Sequence, residues 1–436
     1  MPVLRDLRIL LRLRYFRRLL CVRLLSQGAD GVYQVALAAY VVFSPEKQTS
    51  AAAIASAMAV LLLPYSLVGP FAGVLLDRWR RRQVLVHGNL LRAVLAAITA
   101  VLVVSHVPDW LFYISALCVT AVNRFVLAGL SASLPRVVDA ERLVLANSLS
   151  PTAGTLAATA GGGLAFVVRL VASDSDAAVV LLSACLYLSA SLASLSMPRT
   201  LLGPDRQAVR PPLHTTLVVT ARELVAAIRH LAEPRRREAV WALASMTLMR
   251  FCYGALLVLL LMLSRYTLTA TPNEGLKLLG LALAVSGAGF FAAAVVTPGA
   301  AGRLGPGRWI VVCAGAATIL VPALGLPFAT GPLLVAAFVL GLITQGAKIS
   351  TDTIIQARID DGFRGRIFSV YDVLFNVAFV GAAGVAALML PPDGRSAVLV
   401  VFVALIYAGV TVSMARYEGS RDGEGGDVSR ETSPPR

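Results

Sequence analysis

Long apolar stretches recur along almost the whole chain, with short polar segments between them. Each stretch is close to the ~20 residues that an α-helix needs to cross the hydrocarbon core of a bilayer. Polar and apolar positions do not alternate within the stretches, which indicates membrane helices rather than the strands of a barrel. We predict twelve spans, at 19–43, 51–76, 84–106, 110–134, 147–171, 177–197, 239–265, 275–300, 309–329, 332–357, 367–390 and 396–416.

Composition and charge agree with a membrane protein. The chain is 57% hydrophobic and 14% charged, so a soluble fold is excluded. Its net charge of +15 comes from arginines that flank apolar spans, which the positive-inside rule explains better than binding of nucleic acid. The four histidines are scattered and no nucleotide-binding motif is present. We therefore expect no cofactor, no metal, no nucleic-acid partner and no enzymatic activity.

The distribution of basic residues predicts the orientation. With both termini in the cytoplasm, the inner segments and the span ends next to them hold 30 lysines and arginines, and those on the outer side hold five. We expect a monomer in the cytoplasmic (inner) membrane of a bacterium. The predicted domains are a basic amphipathic segment at 1–18, a six-helix bundle at 19–197, a cytoplasmic connection with a surface helix at 198–238, a second six-helix bundle at 239–416 and a disordered tail at 417–436.

The loop after the second predicted span carries an acid among arginines. Acidic residues contribute little to orientation, so this one needs another explanation. A charge-assisted contact that holds two helices in one of two arrangements would provide it. The residues of this predicted latch are Gly73, Asp77, Arg78, Arg81 and Arg82.

The two halves of the chain look alike at an offset of 222 residues. The loops after the fourth and tenth predicted spans both read Arg-x-x-Asp-x-x-Arg. Duplicated six-helix halves are typical of transporters, with the binding site near the bilayer midplane. The matching residues are Arg136, Asp139 and Arg142 in the first half and Arg358, Asp361 and Arg364 in the second.

The latch loop resembles the G-x-x-x-D-R-x-G-R-R motif of the major facilitator superfamily, and the resemblance extends over about 19–416. Arg80 stands where that motif has its second glycine. The resemblance implies two pseudo-symmetric six-helix bundles, with Asp77 accepting hydrogen bonds from a neighbouring helix end in the outward-open state. The equivalent loop of the second half, 302–308, lacks the acid, so a single dominant latch is expected.

Two further segments, 26–37 and 134–148, resemble the drug- and siderophore-exporting branch of the superfamily, which includes macrolide-efflux and enterobactin-exporter members. The antiporter signature of the fifth span is partly present. Gly154, Gly162 and Gly163 match it, whereas Ala158 and Thr159 stand where Gly-Pro is expected. The resemblance implies export with proton exchange.

In this family the first, fourth, seventh and tenth spans line the central cavity, and here each carries a charged residue well inside the span. An ionisable residue inside a span costs about 2.5–3.5 kcal/mol on insertion scales and is a functional candidate by default. Asp30 is an acid near the midplane, where a carboxyl group can load and release a proton. The other three are Arg124, Arg250 and Lys348, and Tyr33, Gln34, Asn123 and Gln345 are candidate polar contacts.

Some of these charges have a structural alternative. Lys348 and Asp352 are four residues apart and could pair on one helix face, and Arg92 could extend to the inner surface.

We predict a secondary active transporter that exports lipophilic or amphipathic small molecules by proton antiport through Asp30. An alternative is transport of an anion such as a siderophore, carboxylate or lysophospholipid, which the three basic cavity residues would suit. A receptor or scaffold that does not transport is a third possibility. In all three cases the lipid bilayer is a partner. Both kinds of transporter also have a small-molecule substrate, and the antiporter has protons as a further partner.

Overall fold

The computed structural model is predominantly helical in the residues that it describes, which are 9–42, 79–105, 109–139, 143–172, 175–203 and 213–431. The predicted span 51–76 and the residues Gly73, Asp77, Arg78 and Arg142 lie outside these ranges. The twelve long helices of the described part are α1 (Arg14–Val42), α2 (Arg81–Val104), α3 (Asp109–Ser133), α4 (Leu143–Val171), α5 (Asp176–Leu195), α6 (Leu213–Leu231), α7 (Arg237–Tyr266), α8 (Pro272–Leu304), α9 (Pro306–Gly325), α10 (Thr330–Arg358), α11 (Asp361–Met389) and α12 (Ala397–Glu431).

Eleven of these helices coincide with predicted spans, and α6 lies in the predicted connection. Within the described ranges, ten helices, α2 to α5 and α7 to α12, are long and apolar enough to cross a membrane. The helix α1 also coincides with a predicted span, but its first ten residues include four arginines. The prediction of an all-α membrane fold is confirmed.

The described residues form two compact units that divide between Arg222 and Glu223. In the first unit, α1 packs against α4 and α5, and α2 packs against α3 and α5. Small residues let α1 and α4 approach closely: a Cβ atom on Gly31 would lie 1.8 Å from the carbonyl oxygen of Ala158. Backbone contact of this kind is how membrane helices associate where no hydrophobic effect drives them together. Gly31 of α1 and Gly161 of α4 are therefore packing residues.

In the second unit α7 is central and packs against α10, α11 and α12. The helices α8 and α10 approach through reciprocal small residues. A Cβ atom on Gly289 would lie 2.2 Å from the Phe338 carbonyl oxygen, and one on Gly341 would lie 2.2 Å from that of Ser286. Close contact of this kind fixes the relative positions of α8 and α10, the second of which carries Lys348.

The structure differs from the sequence prediction at the C-terminus. We expected a disordered tail from residue 417, whereas α12 continues to Glu431. Once a helix exists, each added residue gains a hydrogen bond without a new nucleation step, so an apolar helix can extend into a polar segment. The hydroxyl of Ser420 donates to the carbonyl oxygens of Arg416 and Tyr417 and so follows the helix instead of breaking it.

Candidate functional site

A buried ion pair lies inside the first unit, between α1 and α2. The Arg92 guanidinium donates to Asp30 Oδ1 at 2.9 Å, and Arg92 has no exposed surface while Asp30 is 7% exposed. Taking two charges out of water is expensive, so such a pair persists only where further hydrogen bonds satisfy it. Several such hydrogen bonds are present here.

Side chains from four helices take part in the hydrogen bonds of this ion pair. The Tyr187 hydroxyl of α5 donates to Asp30 Oδ1 at 2.7 Å, and its ring lies under the Arg92 guanidinium, with 4.4 Å from Cζ to the ring centroid. Arg92 also donates to Asn123 Oδ1 of α3 at 2.8 Å, and to Ser26 and Asn89. A charged hydrogen-bond network of this kind holds α1, α2, α3 and α5 in one arrangement. We call Asp30, Arg92, Tyr187, Asn89, Asn123 and Ser26 the Asp30 network.

The expectation for Arg92 was wrong. Extension of its side chain to the inner surface was the structural alternative that the sequence suggested, but Arg92 is completely buried and is the ion-pair partner of Asp30. The reason is that Asp30, Ser26 and Asn123 together provide the acceptors that a guanidinium would otherwise seek in water. Arg124, another of the charged cavity candidates, is half-buried on α3.

The other polar candidates of the first unit have separate environments. The Tyr33 hydroxyl is buried and lies 3.1 Å from Thr99 Oγ1, which in turn lies 2.7 Å from Ser115 Oγ. Tyr33 is thus part of a hydrogen-bonded chain that links α1, α2 and α3. Gln34, one residue further along α1, is exposed on the surface of this unit.

In the second unit Arg250 is surrounded by aromatic rings. Its Cζ lies 4.1 Å from the ring centroid of Phe375, 4.3 Å from that of Phe379 and 5.4 Å from that of Tyr253. Its ε-nitrogen is buried and has no hydrogen-bond partner within the part of the chain that the structure describes. Aromatic faces stabilise a cation without neutralising it.

Lys348 has the structural pairing that its spacing suggested. Its Nζ lies 2.7 Å from Asp352 Oδ2, one turn along α10, and 5.7 Å from the ring centroid of Tyr371. Gln345 is half-buried on the same helix. The positive charge of Lys348 is therefore compensated within α10.

Two arginines of the predicted latch fall within the described residues. Arg81 donates to the carbonyl oxygen of Ala132 at 2.8 Å, and Arg82 donates to that of Leu195 at 3.0 Å. These carbonyls are at the C-terminal ends of α3 and α5, where a positive charge is favourable. Arg81 and Arg82 therefore hold the start of α2 against two helix ends.

The residues related by the 222-residue offset have the following environments. Arg136 and Asp139 are exposed. In the second half, Arg358 Nε donates to Glu238 Oε2 at 2.6 Å, and Arg364 donates to the carbonyl oxygen of Gln356 at 2.9 Å. Asp361 begins α11, and the preceding residue, Asp360, accepts from Arg236 at 2.7 Å.

An acidic residue of α12 lies beside the loop 302–308. A Cβ atom on Gly307 would lie 2.1 Å from Glu418 Oε1, so the carboxylate of α12 rests against the first turn of α9. A negative charge is favourable at a helix N-terminus. Glu418 thus places at this loop an acid that the loop itself lacks.

Comparisons with known proteins agree with this architecture. The family model described as Major Facilitator Superfamily matches residues 19–383. The chain belongs to the major facilitator superfamily. An uncharacterized MFS-type transporter of Mycobacterium bovis is 37% identical over 91% of this chain and 90% of its own length, and one of Mycobacterium tuberculosis gives the same values. The protein is a multi-pass membrane transporter.

Solved structures of other superfamily members share the fold. The nucleoside transporter NupG matches with a TM-score of 0.65 at 17% identity, over 92% of this chain and 97% of that one. A mutant of the peptide transporter POT matches with a TM-score of 0.68 at 12% identity, over 92% and 94%. At these identities the likeness shows the superfamily fold alone.

Sequence reasoning missed several members of the Asp30 network in this transporter, namely Arg92, Tyr187, Asn89 and Ser26. A signal was available: Asn89 and Arg92 are three residues apart, so they share a face of α2 inside an apolar span. Which helix that face meets could not be read from spacing alone.

Proposed function

We propose that this transporter exports small amphipathic molecules across the bacterial cytoplasmic membrane by alternating access, driven by proton exchange at Asp30. The observation that carries the proposal is the buried pair of Asp30 and Arg92, because a titratable acid inside a membrane bundle is a functional group by default. Export, proton coupling, a monomeric state and cytoplasmic termini are all parts of the proposal.

The mechanism follows from the contacts of the carboxylate. While ionised, Asp30 accepts from Arg92 and Tyr187 and so connects α1, α2 and α5. Protonation removes the charge that holds Arg92, which weakens the network and lets these helices adopt a second arrangement. A proton can thereby bias the equilibrium between two conformations, as any ligand with unequal affinity for them does.

The latch supports the same mechanism. Arg81 and Arg82 hold the start of α2 by contacts with helix ends. The same helix carries Arg92, so a change at Asp30 acts on an element whose end is fixed by the latch arginines. We propose that Asp77, which the family motif implies, completes this latch.

Reconstitution with a fluorescent probe tests proton coupling. Proteoliposomes containing the purified protein are given an inwardly or outwardly directed pH gradient, and accumulation of NBD-dodecanoate and of ethidium is followed. We expect Asp30→Asn to lose gradient-driven accumulation while retaining exchange of probe without a gradient. The control is Glu223→Gln, which removes a carboxylate from the exposed pair with Arg366. Full gradient-driven accumulation by Asp30→Asn would refute the role of Asp30.

Two kinds of cargo are compatible with this mechanism. A lipophilic, drug-like molecule, as in the exporter branch that the sequence resembles, would need an apolar surface and a free acid if it is cationic. An anion would need a free cation. The pairing of Asp30 with Arg92, together with the aromatic surroundings of Arg250, favours the anion.

A further inference from the structure

Arg250 is a positive charge that the protein stabilises without neutralising. In the described part of the chain its recorded contacts are the faces of Phe375, Phe379 and Tyr253, and no carboxylate pairs with it. Lys348, in the same unit, pairs with Asp352 at 2.7 Å. The Nε–H of Arg250 thus lacks an acceptor within the described residues and can donate to a bound anion.

An apolar pocket begins one helical turn from Arg250. Tyr253 connects Arg250 with the pocket, since its ring contacts the guanidinium and also lines the pocket. The pocket lies between α7, α8, α9, α10 and α12, has a cavity volume of about 60 Å³ and opens at the surface of the unit. Except for Tyr253 and Ser286, the residues that line it are aliphatic. They include Leu256, Leu260, Leu283, Leu333, Leu340 and Val400.

The two features lie in line along one helix. Arg250 is near the middle of α7, and the lining residues of this helix continue to Leu260, about 15 Å further along its axis at 1.5 Å per residue. The Tyr253 hydroxyl lies 3.4 Å from Ser286 Oγ, so a polar group marks the Arg250 end of the pocket. A molecule with a charged head and one extended apolar chain matches this order of groups.

We propose that Arg250 and this pocket form the binding site for an amphipathic anion with a single apolar chain, such as a fatty acid or a lysophospholipid with a net negative head. The inference rests on the proposed transport function and names its cargo. The anionic head accepts charge-assisted hydrogen bonds from the guanidinium, and the chain lies among the aliphatic side chains of α7, α8 and α10.

Charge decides between this class and its rivals. A quaternary ammonium amphiphile has the same chain but would place a positive head beside Arg250, which is unfavourable in a low-dielectric site. A neutral monoacylglycerol would fill the pocket and leave the guanidinium without an ionic partner. The site therefore discriminates by head-group charge at equal chain length.

Binding to the purified protein tests the inference without any gradient. Thermal stabilisation in nanodiscs is titrated with four probes of twelve-carbon chain: dodecanoate, lauroyl lysophosphatidate, monolaurin and dodecyltrimethylammonium. Butyrate tests the need for the chain. The variants are Arg250→Gln, Arg250→Lys and Ala337→Phe, which adds a ring to the pocket lining. Arg303→Gln removes an equal charge from an exposed position on α8 and is the control.

We expect anions to bind the wild type at least about tenfold more tightly than monolaurin, since a charge-assisted hydrogen bond is worth that factor or more. Arg250→Gln should remove this preference, Arg250→Lys should retain most of it, and Ala337→Phe should weaken all twelve-carbon probes. Dodecanoate and lysophosphatidate differ in head group, so their relative affinities identify a carboxylate or a phosphate cargo.

Three results would overturn the inference: equal binding of the cationic probe, unchanged anion binding by Arg250→Gln, or butyrate binding as tightly as dodecanoate. The outcome is separable from that for proton coupling. Binding of anions by Asp30→Asn protein that no longer accumulates probe would support both proposals. Coupling through Asp30 without an anion preference would leave the transport proposal and reject this one.

Discussion

The Asp30 network allows a double-mutant cycle that tests whether Asp30 and Arg92 act as a unit. Removing one partner of a buried ion pair leaves the other charge uncompensated, at a cost of about 3–5 kcal/mol. Arg92 donates to four side chains and contacts the ring of Tyr187, so its loss also leaves acceptors unpaired. We therefore expect both Asp30→Asn and Arg92→Met to destabilise the first unit.

The magnitude can be estimated for thermal unfolding. A loss of about 3 kcal/mol corresponds to a fall in Tm of about 6–12 °C for a unit of roughly 200 residues. Arg92→Met should be the more damaging change, because asparagine at position 30 can still accept from Tyr187. The double variant removes both charges and should be no less stable than Arg92→Met alone.

The assay is unfolding of purified protein in one detergent, followed by the fluorescence of a thiol-reactive dye and by circular dichroism. The matched control is Arg366→Met, which breaks a 2.9 Å pair with Glu223 that is more than one-third exposed on both sides. An exposed pair contributes about 0.2–1 kcal/mol, so this control should barely change Tm. Additivity of the Asp30 and Arg92 effects within about 0.5 kcal/mol would refute the reasoning, because independent sites add.

Three further predictions concern single contacts. Tyr187→Phe removes the 2.7 Å hydrogen bond to Asp30 and should lower Tm by less than Arg92→Met does; an unchanged Tm in the same unfolding assay would contradict this. Gly31→Ala places a Cβ atom 1.8 Å from a carbonyl oxygen of α4, so we expect a loss of folded protein in size-exclusion chromatography, and normal yield would show that α1 can shift. Gly307→Ala should displace the Glu418 carboxylate and increase proteolysis at the end of α12, whereas Glu418→Gln should do so less; equal protease resistance of both variants and wild type would argue against the contact.

The helices and their order were predictable because bilayer thickness fixes the length of an apolar span, and eleven predicted spans coincide with described helices. The acid Asp30 was predictable for a related reason, since a charge inside a span is conspicuous. Its partner was not. Identifying Arg92 as that partner requires knowing which faces of α1 and α2 meet, and the sequence specifies spacing within one helix only.

The surroundings of Arg250 illustrate the same limit. The sequence indicated a cation near the middle of a span but not that Phe375 and Phe379 would surround it. Likewise, the missing acid of the loop 302–308 is visible in the sequence, whereas its replacement by Glu418 depends on how α12 packs on α9. Contacts within one helix follow from residue order, and contacts between helices need the fold.

The proton site and the proposed cargo site lie in different units, and this separation predicts how they are coupled. A shared site would make proton and cargo compete directly, whereas separate sites can influence each other only through the conformational equilibrium, by reciprocal changes in affinity. Dodecanesulfonate is suitable for this test because its head group stays ionised. Its affinity for the wild type should change with pH, and Asp30→Asn should abolish that change while preserving binding.

Arg250→Gln is the complementary variant, because it acts on the cargo site and leaves the Asp30 network intact. We expect it to weaken dodecanesulfonate binding at every pH without removing the pH dependence. If Asp30→Asn instead retained the pH dependence, the titrating group would lie elsewhere. If Arg250→Gln abolished it, the proton and the anion would be acting at one site, and coupling through the conformation of the transporter would be wrong.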